Sequence, residues 1–306
     1  MMNNLNSINS YLKDKFGCKV VKLSIDGGFT CPNRDGTKGI GGCSFCSSSG
    51  SGDLASNIPD QLELLSTKWP NAKHLAYFQN HTNTYAPVNV LREKFEAALG
   101  DPNIMGLVIA TRPDCLSAEV LELLSELNER TFLWVELGLQ TIHEKTADKI
   151  NRCYPLSVYD EAIVNLKAHN IRTVVHLILG LPGESPEEML QSVSYVCRNL
   201  NTDQEINSVP EHIFGIKLHM FNLVSGSPMS ITNPNYISFP SIEAYVDMII
   251  SALELVPAHV TIHRISGDAP RSTLIAPEWS YKKLTILNLI HKTMKERGTF
   301  QGAKCK

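Results

Sequence analysis

Long apolar stretches are missing from this chain. No run of about 18 apolar residues, the length a membrane-spanning helix needs, occurs anywhere, so no membrane partner is expected. The opening segment, MMNNLNSINSYLKDKFG, is polar and has no apolar signal-peptide core, which makes the cytoplasm the expected location by elimination. Cysteine is sparse: eight in 306 residues cannot build a disulfide scaffold. In a reducing compartment, closely spaced cysteines point to metal binding or catalysis instead. A global excess of basic residues is lacking too, because the formal net charge is −3, and this excludes a uniformly basic nucleic-acid-coating surface. No internal repeat is visible, so solenoid and propeller architectures are not expected.

What is present is apolar residue content of 43%, enough for one large core, arranged in alternating short strands and amphipathic helices. The segments Lys19–Ile25, His74–Gln79, Gly106–Thr111, Phe132–Leu137, Thr173–Leu179 and Gly215–Phe221 are rich in Val, Ile, Leu and aromatics and read as strands. Between them, Val120, Leu123, Leu124 and Leu127 form one helical stripe, and Met189, Val193, Val196 and Leu200 another. The second helix has a marked start: Ser185 at the N-cap, Pro186 at the first helical position and Glu188 completing a capping box. Six strand–helix units with right-handed crossovers predict a parallel sheet, and six rather than eight predict an α/β fold of the partial (β/α)6 TIM-type barrel kind. Later helices are expected through Ile242, Tyr245, Val246, Ile249 and Leu253, and through Leu284, Leu287, Ile290 and Met294, with an apolar stretch at His259–Ile265. The expected division is a core over 1–256, its first 15 residues a lead-in, and an α/β extension over 257–306 packed on the barrel.

Chemistry in such sheets collects at the C-terminal strand ends. After the first strand comes CPNRDGTKGIGGCSFC: Cys31, eleven residues, Cys43, two residues, Cys46. The two close thiols can bind one metal centre, and Gly36, Gly39, Gly41 and Gly42 let the loop fold back to deliver the third. A structural zinc needs four protein ligands, whereas a [4Fe–4S] cluster on three cysteines keeps one iron open for another molecule. The competing reading is a zinc site completed by Cys18 or a histidine, although a zinc ribbon usually carries two Cys-x2-Cys knuckles and only one is present.

This loop resembles that of the radical S-adenosylmethionine (SAM) superfamily, in the variant with a long first spacer. The resemblance implies that Cys31, Cys43 and Cys46 hold a [4Fe–4S] cluster and that Phe45 lies against the adenine of SAM. Leu137-Gly138-Leu139-Gln140-Thr141 and the run from His176 to Glu184 are similar to the fourth- and fifth-strand motifs of the coproporphyrinogen-dehydrogenase and elongator-catalytic-subunit type. By that similarity Gln140 and Arg152 would contact the ribose or carboxylate of SAM, with His176 where relatives often hold an acid. The second strand departs from the usual Gly-Gly-Glu, so backbone near Gln79, or the hydroxyl of Thr82 or Thr84, would take its place beside the methionine amine. Phe78-Gln79 with Thr82-Asn83-Thr84-Tyr85, Thr111-Arg112-Pro113-Asp114-Cys115, Glu136–Thr141, Lys217-Leu218-His219 and the run from Arg264 through Asp268 to Pro270 together resemble the YhcC/YtqA-type branch, over residues 15 to 280.

Other polar residues carry competing readings. Arg112 would grip an anion at the barrel mouth or pair with Asp114, and Glu136, inside an apolar strand, would bond SAM or pair with Arg112. Cys115 and Cys153 are expected near the mouth, as hydrogen-atom donors or substrate contacts, or else as buried small hydrophobes. His219 and His263 are expected to be satisfied core histidines. The resemblance implies radical chemistry on a tRNA, at the C5 side chain of a wobble uridine (carboxymethylaminomethyl- to aminomethyl-uridine), fed by an electron donor such as flavodoxin or ferredoxin. Residues 281–306 carry seven cations against Glu296, a local +6 that offers an RNA handle or a solvated helix face. The rival functions are radical chemistry on a small molecule such as a porphyrin, and a zinc-stabilised RNA-binding protein without catalysis.

Overall fold

In chain order the elements are α1 (Ile8–Phe16), β1 (Val20–Ile25), α2 (Ile58–Ser66), β2 (Lys73–Phe78), α3 (Val88–Leu99), β3 (Ile104–Thr111), α4 (Ala118–Arg130) and β4 (Phe132–Gln140). Then follow α5 (Glu144–Lys149), α6 (Leu156–Ala168), β5 (Arg172–Leu179), α7 (Pro186–Val196), β6 (Gly215–Met220) and β7 (Leu223–Val224). The chain ends with α8 (Pro228–Thr232), α9 (Ile242–Glu254), β8 (Thr261–Arg264), β9 (Leu274–Ala276) and α10 (Lys283–Arg297). This is a computed structural model that describes residues 5–50, 52–198, 213–267 and 269–305, so Leu200, Asp268 and Lys306 lie outside the described residues.

Seven strands form one parallel sheet in the order β1-β2-β3-β4-β5-β6-β8, curled into a half-barrel with β1 and β8 at its edges. The six expected strands are all there. The seventh, β8, comes from the stretch His259–Ile265 that was expected to lie in a covering extension; it continues the sheet beside β6 instead. Alternation along each strand sorts the side chains. Leu23, Phe78, Ile109, Val135, Leu177 and Leu218 face the helices, in the main core. Leu75, Val108, Trp134 and Val174 face the concave side, where they make a smaller core with Ile8 and Leu12 of α1. The lead-in is therefore a helix, N-capped by Ser7, that plugs the bottom of the half-barrel.

The helices hold as their stripes require. Val120, Leu123, Leu124 and Leu127 of α4 are all buried, each such residue contributing about 1.5–3 kcal/mol. The capping box of Ser185 and Glu188 opens α7 as expected, with Met189, Val193 and Val196 buried. In α10 the phase differs by a step: Ile286, Ile290 and Met294 are buried, while Leu284 is 77% exposed. The chain ends clasp each other at the floor. The Asn6 amide donates to Gln301 Oε1 (2.8 Å), Gln301 Nε2 donates to the carbonyls of Pro257 and Val260, and the Ile262 amide donates to Asn6 O (2.7 Å). Among the described residues no helix is long and apolar enough to cross a membrane.

Candidate functional site

The cysteine loop rises from the C-terminal end of β1 and is pinned to the loop between α5 and α6. The Ser44 amide donates to Ile150 O (2.9 Å), Asn151 Nδ2 donates to Gly42 O (2.8 Å), and Asn33 Nδ2 donates to Asn151 O. Asn33 Nδ2 also lies 3.5 Å from Cys43 Sγ. Glycine is required at two points. A Cβ on Gly39 would fall 2.1 Å from Asn33 Oδ1, and Gly42 has φ +81°, a left-handed conformation that side chains resist. Cys31, Cys43 and Cys46 are free thiols and line one cavity of about 490 Å³. Burial pushes the Cys43 thiol up to about 12, with Cys46 and Cys31 adding to the rise and Arg112 opposing it. As thiols the three need no counter-charge, but as thiolates sharing one cavity they would be stabilised by a cationic centre among them. Among the described residues, no three His, Cys, Asp or Glu side chains converge as ligands of a single ion. Three thiols around one cavity, rather than at one point, suit an iron–sulfur cluster. Cys18 packs beside α1 at the opposite end of β1, a strand of six residues and roughly 20 Å, so it cannot complete a zinc site with these thiols.

The other expected residues divide. Phe45, Gln79, Thr82, Gln140 and His176 border the same cavity as the thiols. Thr82 Oγ1 is buried without a partner, and Ser24 Oγ donates to Gln79 Oε1 (3.0 Å). Gln140 has φ +72° at an irregularity between β4 and β5, a backbone state that few non-glycine residues adopt. The orphaned hydroxyl and the open side of the three-thiol loop fit SAM and a [4Fe–4S] cluster in one space.

Except for His219, the remaining residues have settled partners or lie away from the cavity. Arg152 borders the cavity, and its guanidinium donates to the carbonyls of Leu139, Thr141 and Tyr154 and pairs with Glu144, so it holds the end of β4. Thr84 is buried and spends its hydroxyl on Thr111 and on Cys115 O. Arg112 pairs bidentately with Asp114 (both 2.9 Å), not with Glu136. Cys115 and Cys153 do not line the cavity; Cys153 is exposed, and burial pushes the Cys115 thiol up to about 12. His219 is no satisfied core residue, since its Nε2 is buried without a partner and the ring borders the cavity. His263 Nε2 meets Thr261 Oγ1 at 2.9 Å, yet its Nδ1 has no partner.

Glu136 sits at the centre of the cavity floor, fully buried. It accepts from Trp134 Nε1 (3.1 Å), His176 Nε2 (2.9 Å) and Lys217 Nζ, with Lys22 Nζ 3.5 Å away. Burial alone would raise its pKa, but Lys217, Lys22 and His176 outweigh that and hold it well below the carboxylate range. Sequence reasoning did not assign Lys22, Tyr77 or Lys217 to this floor. The available signal was alternation, which puts Lys217 and His219 on one face of β6 and Glu136 on the inward face of β4. Burial, then the Lys217 charge, lowers His176 to about 4 despite Glu136. Its ring should therefore stay neutral at pH 7, and its contribution to stability should be lost as pH falls from 6.5 toward 4, because the unfolded chain takes up that proton first. Histidine ring NMR checks this, and a His176 titration near 6.5 would overturn it.

Comparison with known proteins agrees with this geometry. Residues 31–196 match the family model described as the Radical SAM superfamily, and residues 213–296 match the Radical_SAM C-terminal domain. The chain is 44% identical over 305 residues to the uncharacterized protein YtqA of Bacillus subtilis (strain 168), covering 97% of this chain and 91% of that protein. It is 37% identical to YhcC of Escherichia coli (strain K12), covering 98% and 94%. A more distant relative is the tRNA uridine(34) acetyltransferase of Dehalococcoides mccartyi, 28% identical over 54% of this chain and 34% of that protein. The solved structure of Elp3 from the archaeon Methanocaldococcus infernus, lacking its N-terminus, aligns with a TM-score of 0.65 over 92% of this chain and 64% of that one, at 17% identity, which is a likeness of fold.

Proposed function

The chain belongs to the radical SAM superfamily, within its YhcC/YtqA-type branch, and on that premise we propose that it modifies the C5 side chain of a tRNA wobble uridine, converting carboxymethylaminomethyl- to aminomethyl-uridine. It is an enzyme that uses a [4Fe–4S] cluster and SAM. Cys31, Cys43 and Cys46 are the proposed ligands of the cluster, and Phe45, Gln79, Thr82 and Gln140 the proposed contacts of SAM. When bound, the pair supplies a 5′-deoxyadenosyl radical able to take hydrogen from an unactivated C–H bond. The chain's own part is to hold that chemistry in a recess. Asn33 and the glycine-rich loop fix the thiols against Asn151, and Arg152 and Tyr154 clamp the carbonyls at the end of β4, so that Gln140 borders the cavity.

The observation carrying the tRNA reading is the similarity to tRNA uridine(34) acetyltransferases across half of this chain. An open half-barrel suits a nucleotide drawn out of its stack, as enzymes acting on bases generally require. An electron carrier such as flavodoxin or ferredoxin would supply the reducing electron. The basic tail is weaker than its composition implied: Arg297 pairs with Asp247, Lys304 with Glu254 and, on the surface, Lys292 with Glu296, while Lys282 and Lys295 are exposed. If the tail meets phosphates, replacing Lys282, Lys283, Lys292 and Lys295 with Gln should flatten the salt dependence of tRNA binding through fewer released counterions. Total tRNA from cells lacking the gene should accumulate carboxymethylaminomethyl-uridine. Unchanged wobble-uridine content, with no tRNA binding, would shift the substrate to a small molecule.

A further inference from the structure

Below the level of the cysteines the cavity ends in a polar floor. β1, β2, β4, β5 and β6 bring Lys22, Tyr77, Glu136, His176 and Lys217 to it. Lys22 and Lys217 each precede the end of their strand by three residues, which sets the floor roughly 10 Å beneath the strand ends. Its hydrogen-bonding account does not balance. Glu136 has two oxygens, and Trp134, His176, Lys217 and Lys22 already crowd them. Each lysine ammonium carries three donors. Lys217 spends its own on Glu136 and Tyr77 Oη (3.0 Å). Lys22 has, among the described residues, one ion-pair partner, Glu136 at 3.5 Å. Its side chain is 25% exposed, and its ammonium lies 4.6 Å from the centre of the Tyr77 ring. His219 adds a ring nitrogen with no partner, its ring 5.0 Å from that of His176. Donors thus exceed acceptors around a space that opens to the thiols.

We propose that this floor is a receptor for a carboxylate carried by the substrate, with Lys22 and His219 as its donors and Lys217 behind them. Lys22, Lys217 and Arg264 against Glu136 leave an excess of positive charge around this space, which favours an anion. Burial presses both ammoniums toward neutrality, and an entering anion opposes that pressure. Bonds from an ammonium to a carboxylate are charge-assisted and favour it over a neutral group of the same shape. The inference rests on the cavity being the substrate's seat, and it would send the carboxymethylaminomethyl arm in first, with its C–H bonds between floor and thiols.

Calorimetric titration of the anaerobically reconstituted holoprotein tests it with three probes: N-methylglycine, N-methylglycinamide and methyl phosphate. The carboxylate should bind about tenfold or more tightly than the amide. Lys22→Gln and His219→Leu should each weaken that preference, and the His219 variant, which removes no charge, should leave the thermal unfolding curve in place. Equal affinity for carboxylate and amide, no saturable binding of the carboxylate, or a preference for methyl phosphate overturns the proposal. A carboxylate preference together with unchanged wobble-uridine content in the knockout would keep this site and remove tRNA as the substrate.

Discussion

Alanine at Cys31, Cys43 or Cys46 should take the reconstituted protein from about four irons and four sulfides per chain to essentially none. The three thiols line one cavity, so losing one leaves two, and two thiolates cannot hold the cluster's cage against exchange with solvent thiols. The visible iron–sulfur absorption should vanish with the metal. Cys18→Ala is the control. That residue packs beside α1 at the far end of β1, and its loss should leave iron content unchanged. Cys115→Ala and Cys153→Ala should also retain the cluster, since neither side chain lines the cavity. Stoichiometric zinc in the wild type, or iron surviving in any of the three variants, would contradict this ligand set.

The second large effect concerns the floor. Glu136→Gln should destabilise the fold by about 3–5 kcal/mol at pH 7, because it strands Lys217, whose side chain is only 2% exposed, without a counter-charge. Denaturant unfolding measures the loss. Adding Lys217→Met should recover part of it, since removing both charges is far less costly than removing one. A loss below about 1 kcal/mol for the single change would mean that the pair is hydrated rather than buried. The pH sign follows from the depressed Glu136 pKa. The carboxylate's contribution is complete above the unfolded value of 4.5 and disappears as pH falls from there through the folded value. Below pH 6.5 it is joined by the loss from His176, so the two act in the same direction in acid.

The sequence made the loop and the sheet class legible because both are local. The spacing of Cys31, Cys43 and Cys46 needs no register, and six apolar strands announce themselves by composition. What escaped depended on distant partners. Ile8 and Leu12 are too few in a polar segment to mark α1 as a plug, and four residues of β8, half of them His and Arg, look unlike a sheet strand. In α10 the expected and observed stripes share Ile290 and Met294, so periodicity could not choose between Leu284 and Ile286. The motif around Arg152 says nothing of its carbonyl partners at Leu139 and Thr141, which exist only once β4 has ended in its irregular turn. The convergence of Lys22, Glu136 and Lys217 needs the register of nonadjacent strands, which no single window contains.

The clasp between Asn6 and Gln301 sets an order of assembly. Its two residues are 295 positions apart, so the contact cannot form until Gln301 has left the ribosome. Until then the strands β1 to β6 can pair one after another as they emerge, each with its sequence neighbour, while Leu75, Val108 and Trp134 have only α1, translated before them, to close over them. The nascent molecule would thus carry its plug and its cysteine loop before the fastening, and the segment around Gln301 is what later ties the underside shut.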